Sequence, residues 1–257
     1  MIADKTPLDP AFARDKFLLR QKHLSISQKY YVWDEEEQVI LFIERPSHFL
    51  QTLGAALVGI ILGIAAAIAL DIISSFILLG IDSYFLIFLD FCIALIVAFV
   101  VMIVLSPKRH VNIYRDESKT EQLLEIQQES KWQFPYAYYQ IKDARGMKLA
   151  RLQKNYFYDL IRKRWYCYLN DGSLLCTIKE DSVVMAILRR FFGSFYGLLR
   201  TNFVILAGRR ERLVGTFNRK CTLLDRYVLD MSDDPERVID RRIAVAIGIM
   251  LDTGERR

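Results

Sequence analysis

The sequence predicts a mainly β protein: a closed antiparallel β-barrel around a central C-terminal apolar helix, with a transmembrane α-hairpin inserted into the chain. Three observations predict this. Pairs of apolar runs separated by short polar turns recur along much of the chain. Between Phe49 and Leu105 the only charged residues are Asp71, Asp82 and Asp90. Near the C-terminus, "RRIAVAIGIMLD" is apolar on every face from Ile243 to Leu251, so it must be buried on all sides.

The elements follow in chain order. Residues 1–15 form an N-terminal tail with no apolar signal core. Residues 16–45 supply the first strands, and "KYYVWDEEEQVILFIER" (29–45) is the first complete strand–turn–strand unit. Residues 46–107 form the two-span hairpin, with spans at about 48–70 and 83–105. Each is long enough for the roughly 30 Å of hydrocarbon that about 20 apolar residues cross. The remaining barrel occupies 108–257. Its hairpin units are 111–129, "YYQIKDARGMKLARLQK" (138–154), "RWYCYLNDGSLLCTIKED" (164–181) and 202–220, with one more strand at 226–231. Asp143 to Gly146 and Asn170-Asp171-Gly172 carry the Asx and Gly residues that tight turns need. This amounts to ten or eleven strands. A barrel that wide cannot be filled by strand side chains alone, so something must plug it. The apolar helix, expected at about 235–251 with Asp234 as N-cap and Pro235 at its first position, is the object that fits. Its nine-residue apolar core spans only about 14 Å, too short to cross a bilayer.

Order and composition together carry a resemblance. "KFLLRQKHLSISQKYYVWDEEEQVILFIER", the hairpins "YYQIKDARGMKLARLQKN" and "KRWYCYLNDGSLLCTIKED", and "GTFNRKCTLLDRYVLDMSDD" before the apolar helix resemble the phospholipid scramblase and LURP-one-related branch of the tubby C-terminal-like superfamily. The resemblance covers nearly all of the chain outside 46–107 and the first dozen residues. It implies a barrel around a helix and a lipid-related role. The chain departs from eukaryotic scramblases in lacking a Pro-rich arm and a juxtamembrane cysteine cluster. "DMSDD" (230–234) lacks the ligand spacing of a calcium loop, so calcium-dependent scrambling does not carry over.

Charge is unevenly spread. Residues 1–45 are net −1, the hairpin segment net −3 and residues 108–257 net +9, within a chain of net +5. Arg45 precedes the first span; Lys108, Arg109 and His110 follow the second. The link between the spans has no Lys or Arg. The positive-inside rule then places both termini and the barrel on the cytoplasmic side of the membrane, which is the inner membrane if the protein is bacterial. Lys108, Arg109, Arg162, Lys163, Arg164, Arg189 and Arg190 are candidates for contact with anionic lipid head groups. Nucleic acid is not expected, because a barrel beside a bilayer meets lipid first. Within 180–200 a short helix capped by Asp181 or Ser182, followed by Phe191, Phe192, Phe195 and Tyr196, is expected to cover an open part of the barrel, the alternative being that it dips into the membrane surface with Arg189, Arg190 and Arg200 at head-group level.

Within the spans, Asp90 is an intramembrane carboxylate, either functional or facing water or a neighbouring helix. Ala55, Gly59, Gly63 and Ala67 share one helix face, suited to packing on the second span or to self-association in a homo-oligomer. No HExxH, GxSxG, P-loop or dinucleotide fingerprint occurs, so no enzyme, cofactor or metal site is expected. His48 and His110 lie at the membrane boundaries and His23 in the first strand region. Cys92, Cys167, Cys176 and Cys221 form no CxxC pair. The functional expectation is a membrane-anchored domain that binds anionic phospholipid and translocates it or not. The alternatives are a scaffold for a protein partner and a channel built from oligomerised hairpins.

Overall fold

The structure is a computed structural model that describes residues 9–22, 28–46, 48–77, 83–157, 163–181, 202–208, 210–220 and 226–255. The chain divides into two compact units, 1–46 with 109–257, and 47–108.

The first unit is a barrel of twelve strands: β1 (Lys16–Lys22), β2 (Gln28–Trp33), β3 (Val39–Arg45), β4 (His110–Tyr114), β5 (Gln122–Gln128), β6 (Tyr136–Asp143), β7 (Lys148–Asn155), β8 (Arg164–Tyr168), β9 (Leu174–Glu180), β10 (Phe203–Ala207), β11 (Arg212–Lys220) and β12 (Arg226–Asp230). Each strand pairs antiparallel with its chain neighbour, and β1 closes on β12 through Phe17 opposite Leu229. Closure removes the exposed edges that would otherwise template aggregation. The count exceeds the expected ten or eleven because β1, which precedes the first hairpin unit, is a full strand.

Side chains alternate as the pleat demands. In β6, Ala137, Tyr139 and Ile141 are buried, while Tyr138 and Gln140 are only half-buried. In β8 it is Trp165 and Cys167 that point in. Tight turns join the strands at Gly146 and Gly172, both with φ near +80°, where a side chain would be strained. Asp143 Oδ1 accepts from the N–H of Arg145 and Met147, which fixes the first of these turns.

The helix α3 (Arg241–Glu255) fills the barrel, with every residue from Ile243 to Leu251 buried. Protein, not lipid, therefore surrounds this apolar helix. Its start corrects the expected 235. Arg237 has φ of +50°, which breaks any helix begun at Pro235. Asp240 is the cap instead, its Oδ1 accepting from Arg242 N–H at 2.8 Å. Asp234 serves the preceding turn: its carboxylate accepts from Val238 N–H and Ile239 N–H, each at 3.0 Å, and from Arg241 at 2.9 Å. Arg241 is itself buried and also reaches Asp15 at 2.7 Å, tying the chain before β1 to the start of α3.

The second unit is a hairpin of α1 (Phe49–Ile77) and α2 (Ser83–Leu105). It interrupts a single strand connection, since β3 and β4 pair directly through Ile43 opposite Ile113. Both helices are long and apolar enough to cross a membrane, and little of either is buried: Ile61, Ile68, Phe85 and Phe88 are among many exposed apolar side chains. At Gly59 and Gly63 the helices approach so closely that an added Cβ would lie 2.6 Å from the Ala98 carbonyl and 2.9 Å from that of Ala94. Ala55 is buried on the same face and Ala67 half-buried, so the small-residue face packs within the hairpin. Asp90 is buried, with Ser74 Oγ 3.5 Å from its Oδ2.

Candidate functional site

In a meander, alternate connections share a rim. The β3–β4 connection, which holds the apolar hairpin, therefore lies at the same rim as β1–β2, β5–β6, β7–β8, β9–β10 and β11–β12. This connecting rim also receives the C-terminal end of α3, because Arg45 at the end of β3 donates Nη1–H to the Thr253 carbonyl at 3.2 Å. The far rim receives the N-terminal end of α3 and the turns at 34–38 and 116–121.

The two rims differ in charge. The far rim is rich in carboxylates that are largely engaged. Arg14 pairs with Asp34, Arg115 with Asp9 and Glu121, Arg212 with Glu236, and Arg241 with Asp15 and Asp234. At the connecting rim, Arg45 and Arg109 line one small pocket whose other walls are Val111, Ile126, Tyr139, Met250 and Thr253. Arg164 begins β8 at the same rim, and Lys163 immediately precedes it.

The position of Arg109 is fixed by its backbone. Its N–H donates to Gln128 Oε1, and its carbonyl accepts from Gln128 N–H, both at 3.0 Å. Gln128 is buried, and its side-chain amide is held in turn by the Ser130 carbonyl at 2.6 Å. Burial, and then the nearby positive charge of Arg109, lower the pKa of Arg45, so the charged form is less favoured there than in water. The pocket is small, about 20 Å³, and two arginines side by side at its walls suit an anion held at its mouth, since an anion would offset that like-charge penalty.

Farther inside, Lys154 is buried with its ammonium 5.1 Å from the centre of the Trp165 ring and 5.3 Å from that of Tyr156. Cys167 and Cys176 stand opposite each other across β8 and β9 as free, buried thiols. The hydrogen bond to Cys167, together with burial, raises the Cys176 thiol well above the usual range, so it stays protonated.

Of the basic candidates, Arg109, Lys163 and Arg164 share the connecting rim, and Lys108 ends the hairpin unit one residue before Arg109. Arg162, Arg189 and Arg190 lie outside the described residues, as does the expected covering helix from 182 onward. Sequence reasoning missed Arg45 as a pocket residue and three exposed aromatics at the same rim: Trp132, Phe134 and Phe157. Their signal was the parity of the meander, which assigns every connection to a rim once the strands are counted.

The class of protein that fold and site define is a closed β-barrel around a core helix, carrying an apolar two-helix hairpin in one connection and a basic pocket at the rim from which that connection leaves. A family model described as LURP-one-related matches residues 96–252, more than half of the chain. The chain belongs to the LURP-one-related family. The match leaves out β1 to β3, yet these strands complete the barrel by pairing with β12 and β4. No curated protein and no solved structure matches the chain.

Proposed function

We propose that this protein is a non-catalytic membrane-anchored barrel, akin to scramblase-like and tubby-like domains, that binds anionic phospholipid at the cytoplasmic leaflet through its connecting rim. The observation that carries the reading is the pairing of Arg45 and Arg109 in one apolar-walled pocket at the rim that bears both connections to the hairpin. Only residues 46–48 separate β3 from α1, and only 106–109 separate α2 from β4. Three or four extended residues reach about 10–14 Å, so the end of β3 and the start of β4 are tethered within that distance of a bilayer that the hairpin crosses. There a Lys or Arg contributes about 1 kcal/mol toward an anionic surface.

The test uses the full chain in neutral detergent, titrated with lysophosphatidylglycerol or lysophosphatidylcholine, with retained lipid counted by native mass spectrometry. The anionic lipid is expected to be retained more strongly. Arg109→Gln with Lys163→Gln is expected to weaken that retention by about 10- to 30-fold, from about 1 kcal/mol per charge. Equal retention of the two lipids would refute the reading.

Lipid translocation along the hairpin is a second reading, favoured by the burial of Asp90 against α1 near Ser74. In proteoliposomes, Asp90→Leu is then expected to abolish flip of a labelled lipid. Flip at the original rate would remove Asp90 from the path.

A further inference from the structure

Among the described residues of the barrel unit, the exposed large aromatic side chains are Trp132, Phe134, Tyr136 and Phe157. All four belong to the β5–β6 and β7–β8 connections or their edge, hence to the connecting rim. The other exposed large apolar side chains of the barrel are the aliphatic residues Val39, Met147, Leu213 and Val238, at or next to far-rim turns. Two of these rings are in contact, and their connections are tied together. The Phe134 and Phe157 rings meet edge to face with centroids 5.1 Å apart. Tyr156 N–H donates to the Pro135 carbonyl at 3.0 Å, and Gln133 Nε2–H to Tyr139 Oη at 3.1 Å. These bonds join the two connections to each other and to the barrel wall.

Three half-exposed aromatic residues on two connections of one rim, two of them in ring contact, are costly to leave in water. Large aromatic rings with a polar edge prefer the boundary between head groups and acyl chains, where Trp and Tyr concentrate in membrane proteins. The patch shares its rim with both short connections to the apolar hairpin, and exposed Lys131 adjoins Trp132. This combination of exposed rings, an adjoining cation and a membrane-crossing connection at the same rim fits a bilayer surface.

We propose that Trp132, Phe134 and Phe157 form an interfacial wedge that inserts into the head-group region of the bilayer, holding the barrel to the membrane independently of lipid charge. The proposal rests on the reading that the hairpin crosses that bilayer, but not on recognition of anionic lipid.

The test uses the full chain in nanodiscs of neutral phosphatidylcholine brominated near the glycerol end of the acyl chain, at high salt, with unbrominated nanodiscs as reference. The chain has three tryptophans. Trp33 ends β2 at the far rim and Trp165 is buried inside the barrel, so Trp132 is the one presented at the connecting rim. Bromine is expected to remove the Trp132 share of the emission, and Trp132→Phe is expected to abolish that loss. Equal emission loss in both proteins would overturn the wedge, as would loss confined to anionic lipid at low salt. Bromine-insensitive Trp132 emission in nanodiscs holding two copies would assign the patch to self-association and also overturn it. Quenching in neutral lipid alongside equal retention of charged and neutral lysolipids would sustain the wedge while refuting anionic lipid recognition.

Discussion

Gly248→Asp is expected to unfold the barrel. Gly248 lies in the middle of α3, and a Cβ added there would stand 3.3 Å from Cε2 of Phe217 and 3.6 Å from Cδ2 of Leu229. A carboxylate would extend past that point into apolar packing with no partner to receive it. Burying an unpaired charge costs several kcal/mol even after relaxation; a loss of about 4–5 kcal/mol is expected, comparable with the whole stability of many domains. Gly248→Ala separates sterics from charge. The ring of Phe217 must give by a few tenths of an ångström, while alanine gains roughly 1 kcal/mol of helix propensity, so near-neutral stability is expected. Chemical denaturation followed by the emission of buried Trp165 reads both variants. A folded Gly248→Asp barrel would mean that α3 is not the plug.

Asp234→Ala is expected to cost about 3–5 kcal/mol, because it removes one of the two carboxylates that hold the buried Arg241, leaving Asp15 alone, and takes the acceptor from the Val238 and Ile239 N–H groups. Asp234 is fully buried and holds both the turn before α3 and the guanidinium of Arg241, which is 1 % exposed. Burial tends to raise the Asp234 carboxyl, but the Ile239 N–H, Arg241 and the Val238 N–H together outweigh it. The group is held below the ordinary carboxylate value near 4. A folded-state value below the unfolded one means that its stabilisation is fully present above about pH 4 and is lost as pH falls through the lower, folded value. The melting temperature of the native protein is therefore expected to fall below about pH 4 more steeply than that of Asp234→Ala. Parallel acid limbs would show that the pair contributes nothing through ionisation.

Much of this fold was legible because its signals are local. Asx–Gly turns, alternating strands and an unbroken apolar helix each announce themselves within a dozen residues. That the helix must be a plug followed from barrel width rather than from any motif. The error at Pro235 is instructive. Asp234-Pro235 is a sound local helix start, and Asp234 does accept two backbone N–H groups. The chain must first cross the far rim before turning inward, and Arg237 at φ +50° makes that turn. Tertiary geometry thus moved the helix start to Arg241 without changing the chemistry of the aspartate.

The site was less legible because it is assembled across distance. Arg45 and Arg109 are separated by the whole hairpin, and Trp132 and Phe157 by two strands. No window of sequence shows them together; only the alternation of connections between two rims does. Asp90 shows the opposite case. Its oddity in the sequence was plain, but whether it faced α1 required the helix pairing that Gly59 and Gly63 permit.

The central claim is that the connecting rim, and not the barrel at large, meets anionic lipid. Hydrogen exchange of the full chain in nanodiscs of phosphatidylglycerol against phosphatidylcholine tests it most directly. The rim segments 109–110, 129–135 and 163–164 are expected to gain protection in the anionic nanodiscs and to lose that gain as salt is raised. The far-rim turns 34–38 and 116–121 are expected to exchange alike in both. Equal protection of the rim in both lipids, or a charge-dependent gain at the far-rim turns, would contradict the account.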